Sequence, residues 1–310
     1  MIEGVATRHL GLDLGATNLK WAVLAQAGGS WTTVATDQVS TRVVADPAAV
    51  PATIVAQLAE VAAAAIAEWG PVLSVGIGVP GLYDPAGGTT RFLVNVPGQW
   101  AGRPVAGPVA TAVGLPAILI NDARAFGLAE LRLGAGRGAS SMVGLTLGTG
   151  VGGVLAIDGR IHEGHDGTAG EIGHQTIDPD GPWCHCGNRG CLEAYARADQ
   201  IARTCGTATA EDAVRAAEAG DEQARAGLAE VGRYLGIGIA NMITVISPDC
   251  VVVGGGVAAA GELLFAPIRT EIARRVRTTS IDDVALVRAE LGTWAGAIGA
   301  AVHAAERAAR

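Results

Sequence analysis

The sequence predicts a mixed α/β protein, and three observations support this class. Short apolar runs that suit buried strands alternate with longer segments of helical periodicity. Several of these strands end in glycine-rich turns, the positions at which open α/β sheets bind ligands. Apolar residues make up 49% of the 310 residues and charged residues 17%, a composition typical of a globular chain with a substantial core.

The first half of the chain begins with a predicted β-hairpin. Two apolar runs, His9–Leu14 and Trp21–Leu24, flank a turn that contains glycine. The elements predicted after this hairpin are a helix over Pro47–Trp69, a strand over Val72–Val79, a strand over Ala117–Ile120 and a helix over Ala123–Leu133.

The second half opens with the same pattern. Met142–Leu147 leads into the turn Gly148–Gly153 and then into Val154–Ile157, which predicts a second hairpin and suggests a duplicated unit. The remaining predicted elements are helices over Leu192–Thr204, Glu211–Ala219, Glu222–Ile246, Gly261–Arg277 and Trp294–Arg310, and a strand over Val251–Val253.

Charge and cysteine usage restrict the class of partner. The net charge of −8 argues against nucleic acid or an anionic membrane as the main partner, because both attract clustered Lys and Arg. The first eight residues lack the apolar region of a signal peptide, and no apolar stretch reads as a membrane span. Five cysteines, three of them clustered at metal spacing, favour a reducing compartment. We therefore expect a cytoplasmic protein that binds small molecules.

The segment between Glu171 and Glu193 contains a candidate zinc site. Its three cysteines read C-x-C-x4-C, and a histidine lies ten residues before the first of them. Three thiolates and one imidazole complete a tetrahedral set with no open position, so the zinc would be structural. The predicted ligands are His174, Cys184, Cys186 and Cys191. His185 is the alternative fourth ligand, and three metal-free thiols are the alternative to a site.

Three glycine-rich turns are candidate phosphate-binding segments, because glycine lets backbone N–H groups approach phosphate oxygens. The first adds a carboxylate for a metal-bound water, a hydroxyl and a cation; the third is predicted to open a helix, whose N-terminus could hold an anion. Plain hairpin turns and close strand–helix packing are the alternative interpretations. The predicted nucleotide-binding residues are Asp13, Gly15, Thr17, Asn18 and Lys20 in the first turn, Gly148, Thr149 and Gly150 in the second, and Gly254, Gly255 and Gly256 in the third.

Polar side chains beside these turns suit a hydroxylated substrate. Asp122 follows a buried strand, where a carboxylate can accept the proton of a hydroxyl that attacks phosphorus. Alternatively, Asp122 caps the helix that follows it. Glu171 and Glu193 flank the metal segment, and His174 can bind a hydroxyl through the ring nitrogen that the metal does not use. The alternative is that both glutamates are ordinary surface acids.

Together these motifs resemble those of the ROK family, the group of repressors, open reading frames and sugar kinases. The resemblance covers nearly the whole chain, and its E-x-G-H and C-x-C-G-x-x-G-C-x-E motifs are the most specific. The matching segments are Leu12–Lys20, Gly78–Asp84, Asn95–Gly98, Asn121-Asp122, Gly148–Gly153, Glu171–His174 and Cys184–Glu193.

The resemblance implies an actin-like, ribonuclease-H-like fold with two lobes around a nucleotide cleft. The smaller lobe would comprise residues 1–121 joined by the C-terminal helix 298–310, and the larger lobe residues 122–297. ATP with Mg²⁺ would be the cofactor, Asp122 the general base, and the chain a homodimer or homotetramer. The sugar contacts carried over by the resemblance are Asn95, Asn121, Asp122, Glu171, His174 and Glu193.

The implied activity is ATP-dependent phosphorylation of a hexose hydroxyl, with conversion of glucose to glucose 6-phosphate as the leading interpretation. A kinase for N-acetylmannosamine, N-acetylglucosamine or fructose is the alternative, and polyphosphate is an alternative donor. A sugar-responsive transcriptional regulator lacking catalysis would need a DNA-binding helix pair before the first motif, and only eight residues precede the first predicted strand. Two departures from the family pattern bear on sugar identity: Arg124 replaces a common asparagine, and Ala196-Arg197-Ala198 replaces a common Ala-Ser-Gly.

Overall fold

The computed structural model describes residues 6–309, and the chain divides into two compact units. The first unit is Met1–Ala129 with Thr293–Arg310, and the second is Glu130–Gly292. The functional lobe boundaries expected from the sequence, at 121/122 and 297/298, stay a prediction.

The first unit is built on a five-stranded sheet and a small three-stranded sheet. The strands are β1 (Thr7–Leu14), β2 (Asn18–Ala27), β3 (Ser30–Ser40), β4 (Val75–Val79), β5 (Gly81–Asp84), β6 (Thr89–Leu93), β7 (Arg103–Pro104) and β8 (Ala117–Asn121). The large sheet has the order β3-β2-β1-β4-β8, in which β1, β4 and β8 run parallel and β2 and β3 are antiparallel neighbours. The helices are α1 (Val50–Trp69), α2 (Ala106–Val113), α3 (Asp122–Arg132, which continues into the second unit) and, at the end of the chain, α9 (Ala295–Ala308).

Helices cover both faces of the large sheet, because side chains alternate along β1. Leu10, Leu12 and Leu14 are buried in one cluster with the apolar side of α1. Gly11, between them, faces α9, whose backbone approaches too closely for any side chain at that position. Among the described residues, α1 alone is long and apolar enough to cross a bilayer, but 44% of its most apolar stretch is buried, and its apolar residues pack in this core.

The second unit repeats this plan. Its strands are β9 (Met142–Leu147), β10 (Val151–Ile157), β11 (Arg160–Ile161), β12 (Cys250–Gly255) and β13 (Ala285–Arg288). They form a sheet of order β11-β10-β9-β12-β13, again with an antiparallel half and a parallel half. The helices are α4 (Glu193–Ala196), α5 (Ala198–Cys205), α6 (Ala210–Glu218), α7 (Glu222–Ile246) and α8 (Glu262–Arg275). The shared strand order supports the duplication suggested by the two hairpins.

Two predicted elements are corrected by the structure. The helix expected over Leu192–Thr204 is broken at Arg197, whose backbone is extended (φ −74°, ψ 155°), so that the N–H of Ala198 bonds the carbonyl oxygen of Gly148. The glycine triplet does not open an α-helix: β12 runs through Gly255, a 3-10 turn follows, and α8 starts later. A helix N-terminus therefore cannot be the anion site there.

Several elements were not predicted from the sequence, namely β3, the small sheet, α2, β11 and β13. β3 is mostly exposed or half-buried and polar, so it lacks the apolar run that identifies a strand. The strand predicted from Val72 begins at Val75.

A buried glutamate joins the beginning and the end of the second unit. Glu130, near the end of α3, is fully buried, and its carboxylate accepts N–H bonds from Ala135 (2.9 Å), Glu290 (3.1 Å) and Leu291 (2.9 Å). One carboxylate thus accepts three backbone N–H groups from two segments that are far apart along the chain.

We expect Glu130→Ala to lower the free energy of unfolding by about 2–4 kcal/mol, because it empties the space of a fully buried side chain and removes the acceptor of three backbone N–H groups. Urea denaturation of the purified variant measures this change. Glu60→Ala is the control, since Glu60 pairs with Arg42 on the surface and its loss should change stability by less than about 1 kcal/mol. Equal effects of the two substitutions would contradict the assignment.

Candidate functional site

Asn121 and Asp122 stand at the junction of β8 and α3. Asn121, 8% exposed, accepts the N–H of Arg124 through Oδ1 at 3.1 Å, so Asn121 is the N-cap of α3. The alternative in which Asp122 caps the helix is therefore wrong, because the helix already begins at Asp122. Its carboxylate Oδ1 instead accepts N–H bonds from Asn121 Nδ2 (3.0 Å) and Ala123 (2.8 Å). These two donors fix the orientation of the carboxylate.

A second carboxylate lies at the same edge of this sheet. Asp13 is at the carboxyl end of β1, and Asn121 and Asp122 follow the carboxyl end of β8, with β4 between these two parallel strands. Asp13 packs against the first turn of α9, where a Cβ at Gly296 would lie 2.5 Å from its Oδ2. Only glycine at this position leaves room for the carboxylate.

Burial raises the pKa of Asp13 from 3.8 to about 6, although Lys20, its cross-strand partner, acts in the opposite direction. The folded protein therefore binds this proton more tightly than the unfolded chain. Stability falls as the pH rises through the window from about 4 to about 6, and at neutral pH the ionised carboxylate costs about 3 kcal/mol.

Asp13→Asn should consequently raise the free energy of unfolding by about 2–3 kcal/mol at pH 8, measured without nucleotide or Mg²⁺. The gain should shrink to about 0.5 kcal/mol at pH 4, where Asp13 is protonated in the folded protein and about half protonated in the unfolded chain. Parallel urea titrations of both proteins at the two pH values provide the measurement, and the exposed Asp37→Asn is the control. A gain that is independent of pH would show that burial of charge is not its cause.

The first glycine turn is a tight hairpin braced from outside. The N–H of Gly15 donates to the carbonyl of Asn18 at 3.0 Å, and Thr41 donates its hydroxyl to the carbonyl of Gly15 at 2.7 Å. Thr17 is exposed at the tip. The turn thus presents a hydroxyl and backbone groups to solvent, as a phosphate-binding segment requires.

Asn95 is carried by a constrained loop after β6. Its backbone is left-handed (φ 60°), a conformation that asparagine adopts more readily than most residues, and it is exposed. Trp100, 3% exposed, donates its indole N–H to the carbonyls of Val96 (3.2 Å) and Pro97 (3.0 Å) and so holds the loop.

The same loop is joined to the Asn121 region. The N–H of Val94 bonds the carbonyl of Pro80, and Asn121 Nδ2 bonds the carbonyl of the adjacent Gly81 at 3.2 Å. The structure therefore brings Asn95, Asn121 and Asp122 into one neighbourhood of the first unit. The sequence analysis missed Trp100 and Thr41, because nothing in the sequence around a single tryptophan or threonine indicates which loop its side chain contacts.

The second and third glycine segments meet in the second unit. β9 and β12 are parallel neighbours, and Gly255 pairs with Leu147, the residue that precedes the second turn. Gly148 and Thr149 are exposed, as are Gly255 and Gly256. The two predicted phosphate segments therefore lie at one edge of the sheet.

The four predicted metal ligands converge. Their donor atoms all lie within 4.8 Å of one another, and His185 is exposed outside the set. Cys186 Sγ is 3.7 Å from Cys191 Sγ, and His174 Nδ1 is 3.7 Å from Cys184 Sγ. Ligands 2.0–2.3 Å from a tetrahedral ion are separated by roughly 3.5–3.8 Å, so the set fits such an ion.

Burial raises the pKa of the Cys184 thiol to about 12 and also raises that of Cys191. Without a cation these thiols are protonated at neutral pH, and a bound metal ion takes the place of their protons. Because Nδ1 of His174 faces the sulfurs, its Nε2 is the nitrogen left for another partner.

The two glutamates of the metal segment differ in setting. Glu193 accepts the N–H of Val151 at 2.9 Å through Oε2, and its Oε1 lies 3.5 Å from Cys184 Sγ. Glu171 is exposed.

Arg124, the departure from the family pattern, lies in the interior at 3% exposed.

Comparison with known proteins identifies the family and the fold of the chain. The ROK family profile matches residues 9–307. The chain is 37% identical to a glucokinase from Thermotoga maritima, over 75% of this chain and 79% of that protein. The structure resembles that of a ROK hexokinase from Thermus thermophilus (TM-score 0.84, 34% identity, 98% and 99% of the two chains).

It also resembles a ROK family glucokinase from Streptomyces griseus in complex with glucose and AMPPNP (TM-score 0.79, 31% identity, 97% and 99% of the two chains). These matches confirm the expected actin-like, ribonuclease-H-like class. Since the profile spans almost the whole chain and the relatives exceed 30% identity, the chain belongs to the ROK family.

Proposed function

We propose that this protein is an ATP-dependent sugar kinase whose acceptor is glucose. The observation that carries the proposal is the Asn121-Asp122 pair, which holds a carboxylate in a fixed orientation at the sheet edge that also bears Asp13. The sugar hydroxyl oxygen attacks the γ-phosphorus, its proton passes to Asp122, and the bond to the departing ADP breaks. Similarity to glucokinases, one of them bound to glucose and AMPPNP, supports this donor and acceptor.

The remaining residues take supporting roles in this proposal. Asn95, Asn121, Glu171, His174 and Glu193 contact the sugar, and the three glycine segments contact the nucleotide. Mg²⁺, when bound with ATP, neutralises charge on the phosphates, and Asp13 would hold one of its waters. Zinc on His174 and the three cysteines would be structural, because the set leaves no coordination position open.

The test is a panel of initial rates with ATP and glucose, fructose, N-acetylglucosamine or N-acetylmannosamine. ADP release is coupled to NADH oxidation, and phosphorus NMR identifies the phosphorylated hydroxyl. We expect the highest kcat/KM for glucose, with the product at the 6-hydroxyl. If no sugar supports ADP formation, the assignment as a kinase is wrong. A clear preference for an N-acylated sugar would overturn the choice of glucose as acceptor. Replacing ATP by polyphosphate should give little product, since a long polyanion is poorly matched to a chain of net charge −8.

We also propose that the protein is cytoplasmic and forms a homodimer or homotetramer. Membership in the ROK family and the clustering of three of the five cysteines at metal spacing support this proposal. Light scattering after size-exclusion chromatography gives the mass of the assembly, and a monomer would contradict the inference.

A further inference from the structure

Glu193 joins the metal loop, residues 171–193, to the turn after β9. Its Oε2 accepts the backbone N–H of Val151 at 2.9 Å. Its Oε1 lies 3.5 Å from Sγ of Cys184, one of the four candidate ligands. One carboxylate therefore contacts both the metal set and the segment proposed to bind phosphate.

This segment, residues 148–151 (the 148–151 turn), is held from the side of the metal loop. Besides the bond from Val151 to Glu193, the carbonyl of Gly148 accepts the N–H of Ala198, just after α4, at 2.8 Å. A Cβ at Gly150 would collide with Oε2 of Glu193, so glycine lets the carboxylate reach the backbone there. Both anchors come from the short stretch that follows Cys191.

A bound metal ion would hold Glu193 in position through two of its ligands. Cys191 precedes Glu193 by two residues and is fully buried, and Cys184 touches its carboxylate. Backbone hydrogen bonds shape the loop around Cys184 and Cys191, whereas the sulfur atoms themselves make only weak contacts with one another, and a bound ion would fix them directly. Release of the metal would therefore loosen the anchor of the 148–151 turn.

We propose that Glu193 is a positioning residue that couples the metal loop to the nucleotide phosphate held at the 148–151 turn. This rests on the proposed function, which places a phosphate there. Coupling of two sites is reciprocal, so the metal strengthens nucleotide binding and the nucleotide strengthens metal retention by the same factor. A contact with the sugar alone would predict neither effect.

The first test is calorimetric titration of the zinc-loaded protein with Mg–AMPPNP in the absence of sugar. Glu193→Ala should raise the Kd about tenfold, since a charged acceptor for a backbone N–H is lost. Glu193→Gln should stay within about threefold of wild type, because its amide oxygen can still accept the N–H of Val151. Glu218→Ala, which removes an exposed acid at the end of α6 in the same unit, should leave the Kd unchanged. A Kd of Glu193→Ala equal to that of wild type overturns the coupling.

The second test uses the wild-type protein and does not depend on the folding of a variant. The zinc Kd is measured by equilibrium competition with a chromogenic chelator, with and without saturating Mg–AMPPNP, and nucleotide should lower it about tenfold. Equal zinc affinities overturn the proposal. If wild type neither binds Mg–AMPPNP nor forms ADP with any sugar, the proposed function fails and the coupling with it. If wild type binds nucleotide normally but shows no linkage to zinc, the coupling alone fails.

Discussion

Asp122→Asn is expected to lower kcat by about 10²- to 10⁴-fold, the contribution typical of a positioned general base. The substitution keeps Oδ1, which accepts the N–H bonds of Asn121 and Ala123, so the junction of β8 and α3 should stay intact. What it removes is the ability to take a proton from the sugar hydroxyl. The coupled assay at saturating glucose and ATP measures kcat, and calorimetry measures glucose binding, which should survive.

Asp84→Asn is the matched control, since Asp84 is a half-buried aspartate of the same unit that accepts a local N–H from Ala86. It should retain nearly full turnover. Turnover of Asp122→Asn within a factor of a few of wild type would defeat the assignment of the general base. Loss of glucose binding together with turnover would instead assign Asp122 to sugar binding.

Removal of one metal ligand is expected to have a large effect on both metal content and stability. We expect the wild-type chain to carry about one zinc ion, and Cys191→Ser to lose it and at least about 3 kcal/mol of stability, because structural zinc contributes its binding energy to folding. Cys191 is fully buried and its sulfur lies 3.7 Å from that of Cys186, so serine cannot restore the site. Inductively coupled plasma mass spectrometry gives the metal content, and urea denaturation gives the stability.

Cys205→Ser makes the same chemical change at a buried thiol outside the metal set. It should keep the zinc and lose less stability than Cys191→Ser. Active wild-type protein purified without a transition metal would contradict the zinc assignment. Equal stability losses in the two variants would show that burial, and not the metal, explains the effect.

The convergence of the candidate metal ligands could be predicted because their spacing is local. Cys184, Cys186 and Cys191 lie within eight positions, so a single tight loop is enough to bring their three sulfurs together. The hairpins were predictable for the same reason, since a glycine turn between two apolar runs is a short-range signal.

The cap of α3 was not predictable. Asparagine and aspartate are almost equally good N-caps, and a shift of one residue in the helix start exchanges their roles. The structure gives the cap to Asn121 and so leaves the Asp122 carboxylate to be oriented by N–H donors. The break at Arg197 also has no local cause: no glycine or proline marks it, and the bond from Ala198 to Gly148 accounts for it.

The sequence by itself determined the family, the candidate metal set and the glycine turns, because each depends on residues close together along the chain. The tertiary structure alone decided which of these segments become neighbours. Parallel pairing of β1, β4 and β8 sets Asp13 and Asp122 at one edge, and pairing of β9 with β12 joins two glycine segments. The bond from Val151 to Glu193 spans 42 residues, a separation at which chain closure is set by the packed core and not by local preference.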